Sequence, residues 1–162
     1  MQREHKPRII TGMDETTIRP ATQDDIPAMV GLLAQLFAIE SDLAIDRAAQ
    51  ARGLAMLLRR ADALALVATR AERVVGMTTV QLTVSTARGG LSAGVEDVVV
   101  DSPHRGSGIG RRLLAAAEAW ARERGALRIA LLADETNAPA LDFYDQLGFV
   151  RTRLVWLAKP LG

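Results

Sequence analysis

The chain contains no cysteine. That excludes disulfides, thiolate metal sites and any acyl-cysteine intermediate, and it fits a reducing compartment. Histidine is nearly absent too. His5 and His104 are the two present, too few for a histidine metal cluster or a Ser-His-Asp triad. Aromatic residues make up 4%, and Tyr144 is the single tyrosine, so any phenol chemistry falls on one residue. Neither charge sign dominates. The net charge of +1 leaves no broad footprint for nucleic acid or an anionic membrane, so an anion must be held by local groups. No apolar run is long enough to span a bilayer. The opening MQREHKPRIITGMDETT carries charges but lacks the apolar segment of a signal peptide. The expected location is cytoplasmic. Residues 1–15 read as a flexible tail, with Met13 a candidate natural start, and 16–162 as a single domain.

What is present is an ordinary globular balance, 49% hydrophobic and 24% charged over 162 residues, enough for a substantial core. TIRPAT reads as a short strand stopped by Pro20. The helix after it needs Pro27 in its first turn, which favours Asp24 as N-cap. Ile26, Met29, Val30, Leu33, Leu36 and Phe37 form its apolar stripe. A second helix is expected from about Asp46 to Arg60. LALVATR, RVVGMTTVQLTVS and LSAGVEDVVVD are β-rich runs with short connections, which predicts an antiparallel meander. A helix from about Gly108 to Arg124 has Ile109, Leu113, Ala116, Ala117 and Trp120 on one face and Gly125 just beyond its end. LRIALLAD reads as a strand buried on both faces, Ala138–Gln146 as a short helix, and VRTRLVWLAKPL as a closing strand. The strand–helix–strand unit around the third helix requires parallel strands. The expected class is therefore α/β (α+β). The sheet is mixed, largely antiparallel and twisted, of six to seven strands, with about four helices on both faces.

The stretch PHRGSGIGRR joins the third β-run to that helix. Free N–H groups and the positive end of the helix dipole favour an anion there, and glycines let backbone N–H groups approach it closely. Spacing narrows the ligand. A dinucleotide fingerprint starting at Gly106 needs a glycine where Arg111 stands, and a P-loop needs Lys-Ser/Thr where Arg111-Arg112 stand.

Read as R-x-x-G-x-G, Arg105 to Gly110 resembles the acyl-CoA pyrophosphate loop of the GNAT superfamily of N-acetyltransferases. VEDVVVDSPHRGSGIG looks like that family's fourth strand running into its loop. NAPALDFYDQLGFV is similar to its N-x-x-A-x-x-F-Y-x-x-x-G-F segment, with Asn137, Ala140, Phe143, Tyr144, Gly148 and Phe149 in place. The resemblance covers about Thr17 to Leu161. It implies the acyl-CoA N-acyltransferase fold and acetyl-CoA as co-substrate. The amides of Arg105, Gly106, Ser107, Gly108, Ile109, Gly110 and Arg111 would hold the CoA pyrophosphate. Val98, Val99 and Val100 would pair with the pantetheine arm where strands four and five splay, and Asn137 would contact that arm.

The resemblance also implies chemistry. Aminolysis of a thioester expels a thiolate, and the family uses a tyrosine at the place of Tyr144 to protonate it. An amine is mostly protonated at neutral pH and must lose a proton before attack. Glu96, Asp97 or a water held by them is the candidate base. Strand parity sends the two side chains to opposite faces unless a bulge intervenes; Glu96 is preferred because similar family members carry a glutamate there. A backbone N–H near Val98 would serve as oxyanion donor. Glu40 and Asp42 follow the first helix and would face a cationic acceptor or simply solvent. Trp156 would wall the acceptor pocket or sit in the core. The expected activity is acetyl-CoA-dependent N-acetyltransfer to a primary amine, small molecule or peptide, by direct attack in a ternary complex. No metal, nucleic acid or membrane is expected, and a homodimer is left open. The rival expectation is a non-catalytic CoA-binding sensor or interaction module.

Overall fold

In the computed structural model, residues 15–39 and 45–161 are described. They fall into two units, one ending at Leu131 and one beginning at Leu132. The first unit holds a five-stranded sheet in the order β1 (Thr17–Pro20), β2 (Ala63–Arg70), β3 (Arg73–Ser85), β4 (Gly90–Val100) and β5 (Ala126–Leu131). Strands β1 to β4 are antiparallel, and β4 and β5 are parallel, as the crossover through the third helix requires. The expected six to seven strands are therefore corrected to five.

The missing strand is VRTRLVWLAKPL. Its residues are β-type, but a strand exists only with a ladder partner, and this stretch makes none. Trp156 is 72% exposed there, so the core position considered for it is not observed. With no sixth strand alongside, β5 is an edge strand. Leu127 is 56% exposed, against the expectation of burial on both faces.

Helices α1 (Ile26–Phe37) and α2 (Arg47–Leu57) cover one face of the sheet. Met29, Val30 and Leu33 of α1 and Leu54 of α2 pack on Ala65, Val67, Met77 and Val99 in one buried cluster. The start of α1 differs from the expected Asp24 cap. Asp25 accepts from the Thr22 N–H at 2.8 Å and from the Arg19 guanidinium at 2.7 and 2.8 Å, so a short 3-10 turn, Gln23–Asp25, precedes the helix. Asp46 caps α2 by accepting from Ala49 N–H at 2.9 Å.

Helix α3 (Ile109–Glu123) lies on the opposite face, burying Ile109, Leu113, Leu114, Ala117 and Ala121. Gly76 of β3 allows this close approach: a Cβ there would stand 3.2 Å from Ile109 Cγ2. Trp120, expected in the core, is half-buried instead and carries the Arg124 guanidinium 4.3 Å above its ring. The second unit contains α4 (Ala138–Gln146), with the expected bounds.

Candidate functional site

The site begins with a slip of register. Thr78 of β3 opposes Val98 of β4, and Val80 opposes Val95, so Thr79 alone faces both Glu96 and Asp97. This is a β-bulge with its extra residue on β4. Parity no longer separates the two carboxylates, and both line one cleft of about 380 Å³ between the sheet and helices α1 and α2. Leu33 and Phe37 of α1 with Leu54 and Leu57 of α2 form its apolar wall. Gln50, Gln81, Glu96 and Asp97 form its polar side.

The carboxylates differ. Glu96 is exposed. Asp97 is half-buried, and its carboxylate accepts from Thr79 Oγ1 at 2.8 Å. Burial raises the Asp97 pKa above the ordinary aspartate value; the Thr79 hydrogen bond pulls it down, and the Glu96 charge pushes it up. Arg60 is the basic residue lining the cleft, and it is engaged. Its guanidinium pairs with both Asp62 carboxylate oxygens, at 2.9 and 2.7 Å.

Beyond the bulge, β4 runs on without β5. The parallel ladder ends at Val95–Leu131, while pairing with β3 continues to Gly76–Val100. Asp101 N–H donates to Val75 O at 2.8 Å on the β3 side. By alternation Val99 faces the same way, which turns the N–H and C=O of Val98 and Val100 to the side β5 has left. Arg105 Nε donates to Val100 O at 3.0 Å.

The glycine turn continues from that open edge. Gly106 and Gly108 have φ of +75° and +80°, conformations that favour glycine. Gly108 is the N-cap of α3, and no acidic residue stands in the helix's first turn. Arg112 N–H, donating to Gly108 O at 3.1 Å, makes the first helical bond, so the amides before it have no intrahelical acceptor. Arg112 also donates to Thr16 O at 2.7 Å, whereas Arg111 is exposed on the loop side. His104 sits 3.5 Å from Arg70 through Nδ1. Below the loop, Gln35 of α1 donates to Asp101 Oδ1 at 2.9 Å and accepts from Ser102 N–H at 3.3 Å, fixing where the turn leaves β4.

In the second unit, Asn137 caps α4 by accepting from Ala140 N–H at 3.2 Å. Phe149 N–H donates back to Tyr144 O, and Gly148 with φ +86° makes the reversal possible. The Tyr144 ring packs against Phe143 and, edge-on at 5.7 Å, Phe149. The N-x-x-A-x-x-F-Y-x-x-x-G-F segment is thus a capped helix carrying Tyr144 in its last turn.

Within the first unit the fold brings together Glu96, Asp97, Val98, Val99, Val100 and Arg105 to Arg111. Asn137, Tyr144 and Trp156 belong to the second unit, and Glu40 and Asp42 lie outside the described residues. Thr79, Gln35 and Gln50 were not anticipated. A polar residue beside the apolar stripe of α1 was the available sign for Gln35. For Thr79 it was the hairpin pairing of β3 with β4. Among the described residues, no group of three potential metal ligands occurs, and no helix is long and apolar enough to cross a membrane.

An open strand edge running into a glycine turn at a helix N-terminus, beside an acidic cleft, defines a class. The profile of the Acetyltransferase (GNAT) family matches residues 40–149, and the chain belongs to that family. Streptothricin acetyltransferase of Streptomyces lavendulae is 47% identical over 55 residues, 34% of this chain and 29% of that protein. Glucosamine 6-phosphate N-acetyltransferase of Trypanosoma brucei brucei is 36% identical over 78 residues, 48% of this chain and 51% of that protein. The chain thus spans about half or less of the length of these relatives. A solved structure described as a transcriptional regulator from Bacillus halodurans C-125 is 32% identical, with TM-score 0.79, over 91% of this chain and 100% of that one.

Proposed function

We propose that this protein is an acetyl-CoA-dependent N-acetyltransferase that acetylates a primary amine by direct attack in a ternary complex. The observation that carries this is the continuity of the open β4 edge, the glycine turn and the α3 N-terminus, with the acidic cleft at the bulge. The residues suit the co-substrate. A pyrophosphate needs N–H donors and no competing anion, and the first turn of α3 offers free amides, no acid, and flanking Arg105 and Arg111. A Cβ at Gly106 or Gly108 would meet nothing within 4 Å, so the turn is uncrowded at both glycines. The two amides of a pantetheine arm match the strand-like donors and acceptors of Val98 to Val100.

The cleft carboxylates then hold the incoming ammonium. Glu96, exposed to water, takes the proton, and Asp97 beside it keeps the cation in place. The amine nitrogen bonds to the acetyl carbon, and the carbonyl oxygen is met by a backbone N–H near Val98. The C–S bond breaks; Tyr144, on the family resemblance, gives its phenolic proton to the departing sulfur, and the proton shed by the new amide nitrogen restores the phenol. The relatives' names, which specify streptothricin and glucosamine 6-phosphate as substrates, support an amine acceptor. The test is thiol release from acetyl-CoA across a panel of amines. Amine-dependent release supports the reading, and its absence for every class of amine rejects it.

One observation favours a second reading. A solved structure 32% identical over 91% of this chain is described as a transcriptional regulator, which suits a CoA-binding module without turnover. Thermal stabilisation by CoA with no thiol release would establish it.

A further inference from the structure

We infer that the cleft selects an uncharged-side polyhydroxylated amine: an amine that carries hydroxyl groups but no phosphate or carboxylate on the part that enters. This rests on the acetyltransferase reading and specifies its acceptor. The first observation is charge. Two carboxylates, Glu96 and Asp97, line the cleft, and its basic residue Arg60 is paired through Nε and Nη2 with Asp62. A cation is attracted, and an anionic substituent is repelled by the two carboxylates. The second observation is Gln50 of α2. Both polar atoms of its carboxamide are buried and neither has a hydrogen-bond partner. An unmet buried donor or acceptor is costly, so such a group calls for a reason. Gln50 lines the cleft, and a turn about its soft terminal torsion presents one donor and one acceptor to a ligand. A hydroxyl satisfies both, since it donates to the carbonyl and accepts from the amide. Leu33, Phe37, Leu54 and Leu57 supply the apolar surface for the carbon face of a ring.

The test uses three probes of one ring size, glucosamine, cyclohexylamine and glucosamine 6-phosphate. Binding is measured by calorimetry on the full chain with CoA present, for the wild type and Gln50→Leu. The wild type should bind glucosamine more tightly than either other probe. Gln50→Leu should lower the glucosamine-to-cyclohexylamine affinity ratio at least tenfold, while its melting temperature holds or rises because the unpaired amide is gone. An unchanged ratio in the folded variant, a preference for the phosphorylated probe, or no binding of any probe overturns the assignment. The acetyltransferase reading fails separately, by the lack of thiol release with any amine, so the two failures are distinguishable.

Discussion

Gly108 offers the sharpest trial of the phosphate loop, because a second glycine supplies its control. Gly108 caps the start of α3 with φ +80°, and Gly125 follows its end with φ +76°. A Cβ at either would meet nothing within 4 Å, so neither substitution creates a clash. Alanine at each then costs only the left-handed backbone penalty, about 1–2 kcal/mol. For a chain of this length, about 2–4 °C of melting temperature is lost per kcal/mol, so both variants should melt lower by similar amounts. CoA affinity should separate them. At Gly108 the methyl intrudes on the space before the free amides, and an aspartate would add a charge facing the pyrophosphate. Losing one charge-assisted contact is worth about 1.5–3 kcal/mol, or roughly tenfold to a hundredfold in Kd. Calorimetry at a temperature where all variants are folded should give weakening in the order Gly108→Asp, then Gly108→Ala, with Gly125→Ala like the wild type. Equal affinities for Gly108→Asp and wild type, or equal losses for the two alanine variants, would refute the loop assignment.

Tyr144→Phe should lower kcat tenfold or more with little change in CoA affinity; steady-state kinetics with matched calorimetry checks it, and unchanged kcat removes the acid role. Thr79→Val removes the bond that pulls the Asp97 pKa down, so the acid limb of the rate profile, where a required carboxylate protonates, should move to higher pH. A stationary limb means that Asp97 does not contribute. Arg19 and Thr22 hold the Asp25 pKa at about 2, below its ordinary 3.8. A depressed carboxylate stabilises the fold above the unfolded value and loses that contribution as pH falls toward 2, here about 1–2 kcal/mol after allowance for solvent around Arg19. Arg19→Ala should therefore lower stability at pH 7 by about that much and little near pH 2, by urea titration at each pH.

Most of the fold was legible because its signals are local. The meander from Ala63 to Val100 announced itself through β-branched runs broken by short turns, and α4 was read with its observed bounds, Ala138–Gln146. Where the reading failed, a distant partner decided the outcome. VRTRLVWLAKPL has strand composition, yet composition cannot supply a ladder neighbour. The cap of α1 turned on Arg19, six residues before Asp25, whose guanidinium recruits that carboxylate in preference to Asp24.

The bulge shows why the candidate site was harder to read than the fold. Alternation along β4 assigns Glu96 and Asp97 to opposite faces unless a bulge intervenes, and one strand read alone does not show a bulge. The exception comes from pairing: β3 offers one residue, Thr79, where β4 offers two. Thr79 also makes the bulge chemically useful. Its hydroxyl accepts from the Asp97 N–H at 3.3 Å and donates to the Asp97 carboxylate, so the residue with no counterpart on β3 has its N–H paired by a side chain and its own carboxylate tied inward. The inserted residue turns a second carboxylate into the cleft, and the bulge begins just past Val95, where β5 leaves β4. Acidic cleft and open strand edge begin at the same point of one strand. In the proposed reaction, an amine held by Glu96 and Asp97 attacks a thioester laid along Val98 to Val100, so attraction of the acceptor and placement of the donor are set from neighbouring residues of β4.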